Sequence, residues 1–187
     1  MEALSHFQRA ALALALTLCL ASPPALCGEA GSLEYAVKAN YLFKFAPFVA
    51  WPDSAFPSPT SPFNLCVAGD DPFGTALDEA VRGQSFNQHP VRVRRVSGSE
   101  GLTSCHILFA APSRLQSMSD ILKGVRGAPV LTVADKAPGS RGAVIQFVIL
   151  NDRVRFIIDS DIAAANRVSI SSKLLSLAVQ VMSGNGD

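Results

Sequence analysis

The chain has 187 residues, 49% of them hydrophobic, and a formal net charge of +1. That length suits one domain. The near-neutral charge, with no basic run, excludes an electrostatic nucleic-acid binder.

Residues 1–30 carry the three parts of a secretory signal peptide. Arg9 is the basic flank, Ala10–Ala21 is an apolar run too short to span a bilayer, and Pro23-Pro24 breaks it before small residues. Cleavage after Cys27 or after Ala30 fits equally. A lipid anchor on Cys27 is disfavoured because Leu26, not a small residue, precedes it. Residues 31–187 are then a single mature domain in an oxidising compartment. Two cysteines remain there, Cys66 and Cys105, and one disulfide between them would close a loop of about 40 residues, worth about 4 kcal/mol. The alternative is two buried free thiols. His89 and His106 have no metal-ligand spacing, so neither metal nor cofactor is expected.

In chain order, Leu33–Val49 reads as an amphipathic helix with Tyr41, Phe45, Phe48 and Val49 on its buried face and Lys38 and Lys44 off it. Pro47 tightens its last turn and Trp51-Pro52 ends it. Phe63–Gly69 is a strand, "GDDPFG" a turn, Thr75–Val81 a helix and "VRVRRV" (Val91–Val96) a strand with arginines on a solvated face. His106–Ala111 and Pro129–Val133 are apolar runs suited to strands buried on both faces. Ser113 is placed to cap a helix running to Lys123. "AVIQFVIL" and "VRFIID", separated by Asn151, Asp152 and Arg153, form a hairpin, and Asp161–Asn166 and Ser171–Met182 follow as helices. Alternating strands and helices with a late hairpin give an α/β/α three-layer sandwich on a mixed sheet with a C-terminal antiparallel hairpin.

The residues that invite chemistry each have a plainer role. Ser169, Ser171 and Lys173 lie together, but a serine–lysine hydrolase of the S-x-x-K kind needs its serine where Ile170 stands. Ser171 is therefore read as a helix cap. Asp70 and Asp71 follow a strand, where ligand sites occur, but sit in a strong turn. Asp159 and Asp161 read as helix-cap and dipole partners, and His106 as a satisfied buried histidine. No catalytic set stands out, so no enzyme is expected.

Several segments together, "EYAVKANYLFKFAPFVAWP", "CVAGDDPFG", "CHILFAAPS", "VLTVAD" and above all "VRFIIDSDIAAANRVSISSKLLSLA", resemble the YfiR family over residues 34 to 182. The resemblance implies a Gram-negative periplasmic regulator that represses a membrane-bound diguanylate cyclase through its periplasmic sensor region. An outer-membrane lipoprotein with a peptidoglycan-binding domain relieves the repression. It also implies a disulfide between Cys66 and Cys105. A second, hairpin disulfide found in some members has no cysteines here. Where the family usually has alanine-glycine before the "ISSK" segment, this chain has Asn166-Arg167, and Asn166 is the residue that tolerates a left-handed turn. The expected partner surface is the hairpin end and the helix after it: Arg155, Ile157, Asp159, Asp161, Ile162, Asn166 and Arg167. A homodimer stays open. A periplasmic small-ligand binder with a pocket near Asp70–Gly74 is the alternative function, and a hydrolase the last.

Overall fold

The computed structural model describes residues 29–137 and 142–184. The chain divides into two units, Met1–Ala30 and Gly31–Asp187, and the architecture below is that of the second. Residues 1–28 of the expected signal peptide, with the cleavage site after Cys27, lie outside the described residues, and the site after Ala30 falls within the first helix.

The elements in chain order are α1 (Glu29–Phe45), β1 (Val49–Ala50), β2 (Phe63–Ala68), α2 (Thr75–Val81), β3 (Ser85–Phe86), β4 (His89–Val96), β5 (Ile107–Ala110), α3 (Met118–Lys123), β6 (Leu131–Asp135), β7 (Ile145–Leu150), β8 (Arg153–Asp159), α4 (Ser160–Ala165), β9 (Ser169–Ile170), α5 (Ser172–Leu175) and β10 (Gln180–Met182). One eight-stranded sheet runs in the order β10-β8-β7-β6-β5-β2-β4-β3, and β1 and β9 make a separate antiparallel pair. Strands β4, β2, β5, β6 and β7 are parallel. β8 returns antiparallel to β7, and β10 adds parallel to β8.

Alternation along the strands divides the core in two. Phe63, Leu65, Ile107, Phe109, Leu131, Val133, Ile145, Phe147, Phe156 and Ile158 face one side, where α1 and α2 cover them through Leu42, Phe45, Leu77 and Val81. Cys66, Ala68, Leu108, Ala110 and Ala134 face the other, where α3 covers them through Ile121 and Leu122. The first face is built of large rings: Phe45 sits 5.2 Å from Phe156 and 5.9 Å from Phe147 between centroids. The second is built of small side chains, which is why the short α3 can approach closely enough to close it. The expected α/β/α sandwich on a mixed sheet is the observed fold.

Several elements differ from expectation. The first helix stops at Phe45, and Pro47 lies in a following 3-10 turn, Ala46–Phe48. Its buried face is centred on Ala39, Leu42, Phe45 and Ala46, and Lys38 is buried on that face rather than off it. The helix before Lys123 starts at Met118 with Ser117 as its cap. Ser113 instead holds a local turn through the amides of Leu115 and Gln116. The closing helix is a single turn, Ser172–Leu175, and Gln180–Met182 is a strand. Only Leu174 of its apolar residues is buried, because the open edge of β8 captures the segment that periodicity assigned to helix. The hairpin turn is the two residues Asn151 and Asp152, both with positive φ (50° and 56°), as a type I′ connection demands, so Arg153 already belongs to β8.

Cys66 on β2 and Cys105 just before β5 are bonded, with Cα atoms 5.8 Å apart across neighbouring parallel strands. Both are buried, and the bond closes a separation of 39 residues. Replacing both cysteines with serine, or adding reductant, should lower unfolding free energy by about 4 kcal/mol. Urea unfolding of the paired variant checks this, and an unchanged midpoint would remove the stabilising role.

Candidate functional site

The hairpin of β7 and β8 outruns the sheet. Among the described residues of the hairpin, β6 reaches Ile145–Phe147 and β10 reaches Ile157–Asp159. Val148–Arg155 therefore pair in strands only with each other. At its end Ile149 and Leu150 are each about half exposed (50% and 49%). Sequence reading placed the interest on β8 and missed these two, although an uninterrupted run of apolar residues up to a turn signals a strand whose last residues outlast the sheet.

The seven expected surface residues do not all face outward. Arg155, Asp161 and Arg167 reach the surface. Asp159 caps α4, its Oδ1 accepting from the amides of Asp161 (3.1 Å) and Ile162 (3.0 Å). Ile162 is partly buried against the first core. Ile157 is buried at 4% exposure, and Asn166 at 2%. Asn166 donates through Nδ2 to the Val130 carbonyl (3.0 Å) and accepts through Oδ1 from the Gly127 amide (3.3 Å). Arg167 then donates through Nε to the Gly127 carbonyl (2.9 Å). The left-handed residue of this turn is Arg167, at φ 54°, not Asn166. Between α3 and α4, Ser119, Lys123, Arg126, Asp161, Ile162 and Asn166 line a cleft of about 330 Å³.

The other sequence candidates are structural, apart from Asp70, which lies exposed. Ser171 Oγ accepts from the Leu174 amide (3.3 Å) as the cap of α5. Ser169 pairs with Ala50 between β9 and β1, and the Lys173 ammonium lies 5.6 Å over the Phe48 ring. Asp71 accepts from the Phe73 amide (2.8 Å) and from Arg95 Nε (2.9 Å), and Arg95 also holds Asp78 and the Gly74 carbonyl. The hydrogen-bonded Arg95 guanidinium holds the Asp78 carboxyl below the usual carboxylate range. Among the described residues no group of three His, Cys, Asp or Glu is placed to hold a metal.

A buried charge cluster escaped sequence reading altogether. Lys38, 3% exposed, donates to Asp135 Oδ1 (2.6 Å) and pairs with Glu34. The Tyr35 hydroxyl donates to Asp135 Oδ2 (2.7 Å), and the ammonium lies 4.5 Å from the Tyr35 ring centroid. Burial and the Asp135 carboxylate push the Tyr35 hydroxyl well above its usual pKa. The cluster fastens α1 to the carboxyl end of β6. Asp135→Ala should leave the buried ammonium short of its partner and cost about 3 kcal/mol of stability, measured by urea unfolding. A loss below about 1 kcal/mol would mean that Glu34 alone satisfies Lys38.

His106 is fully engaged. Its Nδ1 accepts from the Asn64 amide (3.0 Å) and its Nε2 donates to the Ala55 carbonyl (3.1 Å), with Phe56 and Phe63 stacked 4.5 and 4.8 Å away. Burial pushes its pKa down from 6.5 to about 4, and His89 adds to this against the opposing carbonyl. The native ring stays neutral while the unfolded chain takes up a proton below pH 6.5. Stability should therefore be full above pH 6.5 and fall by something on the order of 3 kcal/mol as pH drops to about 4. Unfolding curves across that window should show this slope, and His106→Gln should flatten it relative to the parent. A parallel slope in the variant would assign the loss to other groups.

The fold and this arrangement define a three-layer α/β protein with a projecting ribbon and an adjoining helix cleft. A family model described as YfiR/HmsC-like matches residues 35–179. The chain belongs to that family, which points to a periplasmic regulator of cyclic-di-GMP signalling rather than a catalyst. No curated protein matches it.

Proposed function

We propose that the protein represses an inner-membrane diguanylate cyclase by binding its periplasmic sensor region. The observation that carries this reading is the family match across residues 35–179, nearly all of the described chain. The mechanism is equilibrium binding. The protein stabilises the inactive sensor state in proportion to its preference for that state. An outer-membrane peptidoglycan-binding lipoprotein withdraws it by competition.

The partner surface is the β8–α4 face: Arg155, Asp159, Asp161, Ile162 and Arg167, with Ile149 and Leu150 extending it along the ribbon. Ile157 and Asn166 act from beneath, holding the surface in place. The half-exposed Ile149 and Leu150 supply apolar area, and the charges around them set specificity. A ribbon that pairs only with itself is also the part of the sheet most able to take an added strand.

Arg155→Glu and Asp161→Arg should each weaken binding to the purified cyclase sensor region by about tenfold, with melting temperature unchanged. Calorimetric titration reads the affinity. Cellular cyclic-di-GMP should rise with either variant. Folded variants that bind as tightly as the parent would remove this surface. A protein that does not bind the sensor region at all would remove the repressor reading.

A further inference from the structure

A second cleft, of about 600 Å³, opens beside the amino ends of β2 and β4. It is lined by Trp51, Asp53, Phe56, Phe86 and His89, with the neutral Ser85 and Asn87 beside the β3–β4 turn. Its size is ordinary for a small-molecule site.

Every polar group that this wall offers is an acceptor or neutral. Trp51 spends its only donor on the His106 carbonyl (3.2 Å), so it presents ring alone. Phe63, Phe86 and His106 meet it nearly edge-on, at 74–85°, so none of them lies parallel over the indole. His89 donates through Nδ1 to the Ser61 carbonyl (2.6 Å), and in that tautomer Nε2 is the ring's acceptor. Among the described residues no protein atom partners that nitrogen. Since no buried side-chain nitrogen or oxygen among the described residues lacks a partner, Nε2 must reach solvent in the cleft. Asp53 lies exposed on the rim, and its carboxylate makes no hydrogen bond or ion pair among the described residues. No lysine or arginine among those residues lines the cleft.

Aromatic faces with a free carboxylate and no competing cation are the recognition chemistry of organic ammonium ions, which the ring quadrupoles attract. We propose that this cleft binds a small alkylated ammonium cation, held by the Trp51 and Phe86 rings and the Asp53 carboxylate. The proposal is independent of the cyclase reading, because the cleft shares no residue with the β8–α4 face.

The chain has one tryptophan, so the cleft carries its own fluorescent reporter. Titrating the purified protein with choline should change Trp51 emission saturably. Dimethylbutanol, the uncharged isostere with carbon in place of nitrogen, should bind at least about fivefold more weakly. Asp53→Asn should weaken choline by a similar factor, about fivefold, and Phe86→Ala should weaken it too. Asp53 is exposed and unpaired, so its variant should fold normally, which circular dichroism checks. The absence of a saturable change, equal affinity for the uncharged alcohol, or an unaltered choline affinity in Asp53→Asn would each overturn the proposal.

Discussion

Strand β2 is bonded along both edges and buried on both faces, and the rest of the molecule is arranged to satisfy that condition. Phe63, Leu65 and Val67 demand cover on one side, Cys66 and Ala68 on the other. Burying a strand this way removes its amides from water, so each must find a partner in the neighbouring ladder. β4 and β5 supply those partners in parallel register. Parallel neighbours need crossovers, and the crossovers place the covering layers. The disulfide then pins β2 to the start of β5, at the point where the chain changes direction across the sheet.

The same construction decides where the protein can interact. Open parallel sheets usually bind ligands at the carboxyl ends of their strands. Here those ends are occupied. Gly69 lies so close to the Ala111 carbonyl that a Cβ would sit 1.9 Å from its oxygen. Arg95 ties Asp71 and Asp78 together beside it, and the Lys38 cluster closes the end of β6 under α1. What stays open is the opposite end of the sheet, with its aromatic cleft, and the edge where the hairpin outruns its neighbours. A carboxyl end closed by internal salt bridges suits a protein whose work is done by surfaces.

Six strands of the sheet, β2 and β4 to β8, were legible as runs of the right length between glycine and proline signals, whereas the two-residue β3 is too short to leave a pattern. Thr75–Val81 was read to its exact bounds for a similar reason, the strong turn before it. The failures have physical causes. Lys38 breaks the apolar pattern of α1, so periodicity selected Tyr41, Phe45, Phe48 and Val49 and placed the lysine outside. Its partner Asp135 is 97 residues away, and no local pattern reveals that pairing. The segment after Leu175 carries helical spacing, but its fate is set by the unfilled edge of β8, a tertiary demand that overrides propensity. The aromatic cleft joins Trp51 and Phe56 of the β1–β2 connection to Phe86 of β3 and His89 of β4, and only the residue types were visible beforehand.

The Asn166-Arg167 pair shows how closely surface and scaffold are joined. A non-glycine residue in the left-handed region costs about 1–2 kcal/mol, so the turn after α4 carries strain at Arg167. That cost is offset locally. Arg167 bonds the Gly127 carbonyl while Asn166 bonds the Gly127 amide and the Val130 carbonyl, so two adjacent side chains clamp the approach to β6. A glycine at 167 would relax the backbone but release half of the clamp. The cleft between α3 and α4 has Asn166 in its wall, so its shape depends on the same bonds. A lost interaction on changing Asn166 therefore reports on the scaffold, whereas one lost at half-buried Arg155 or exposed Asp161 reports on contact.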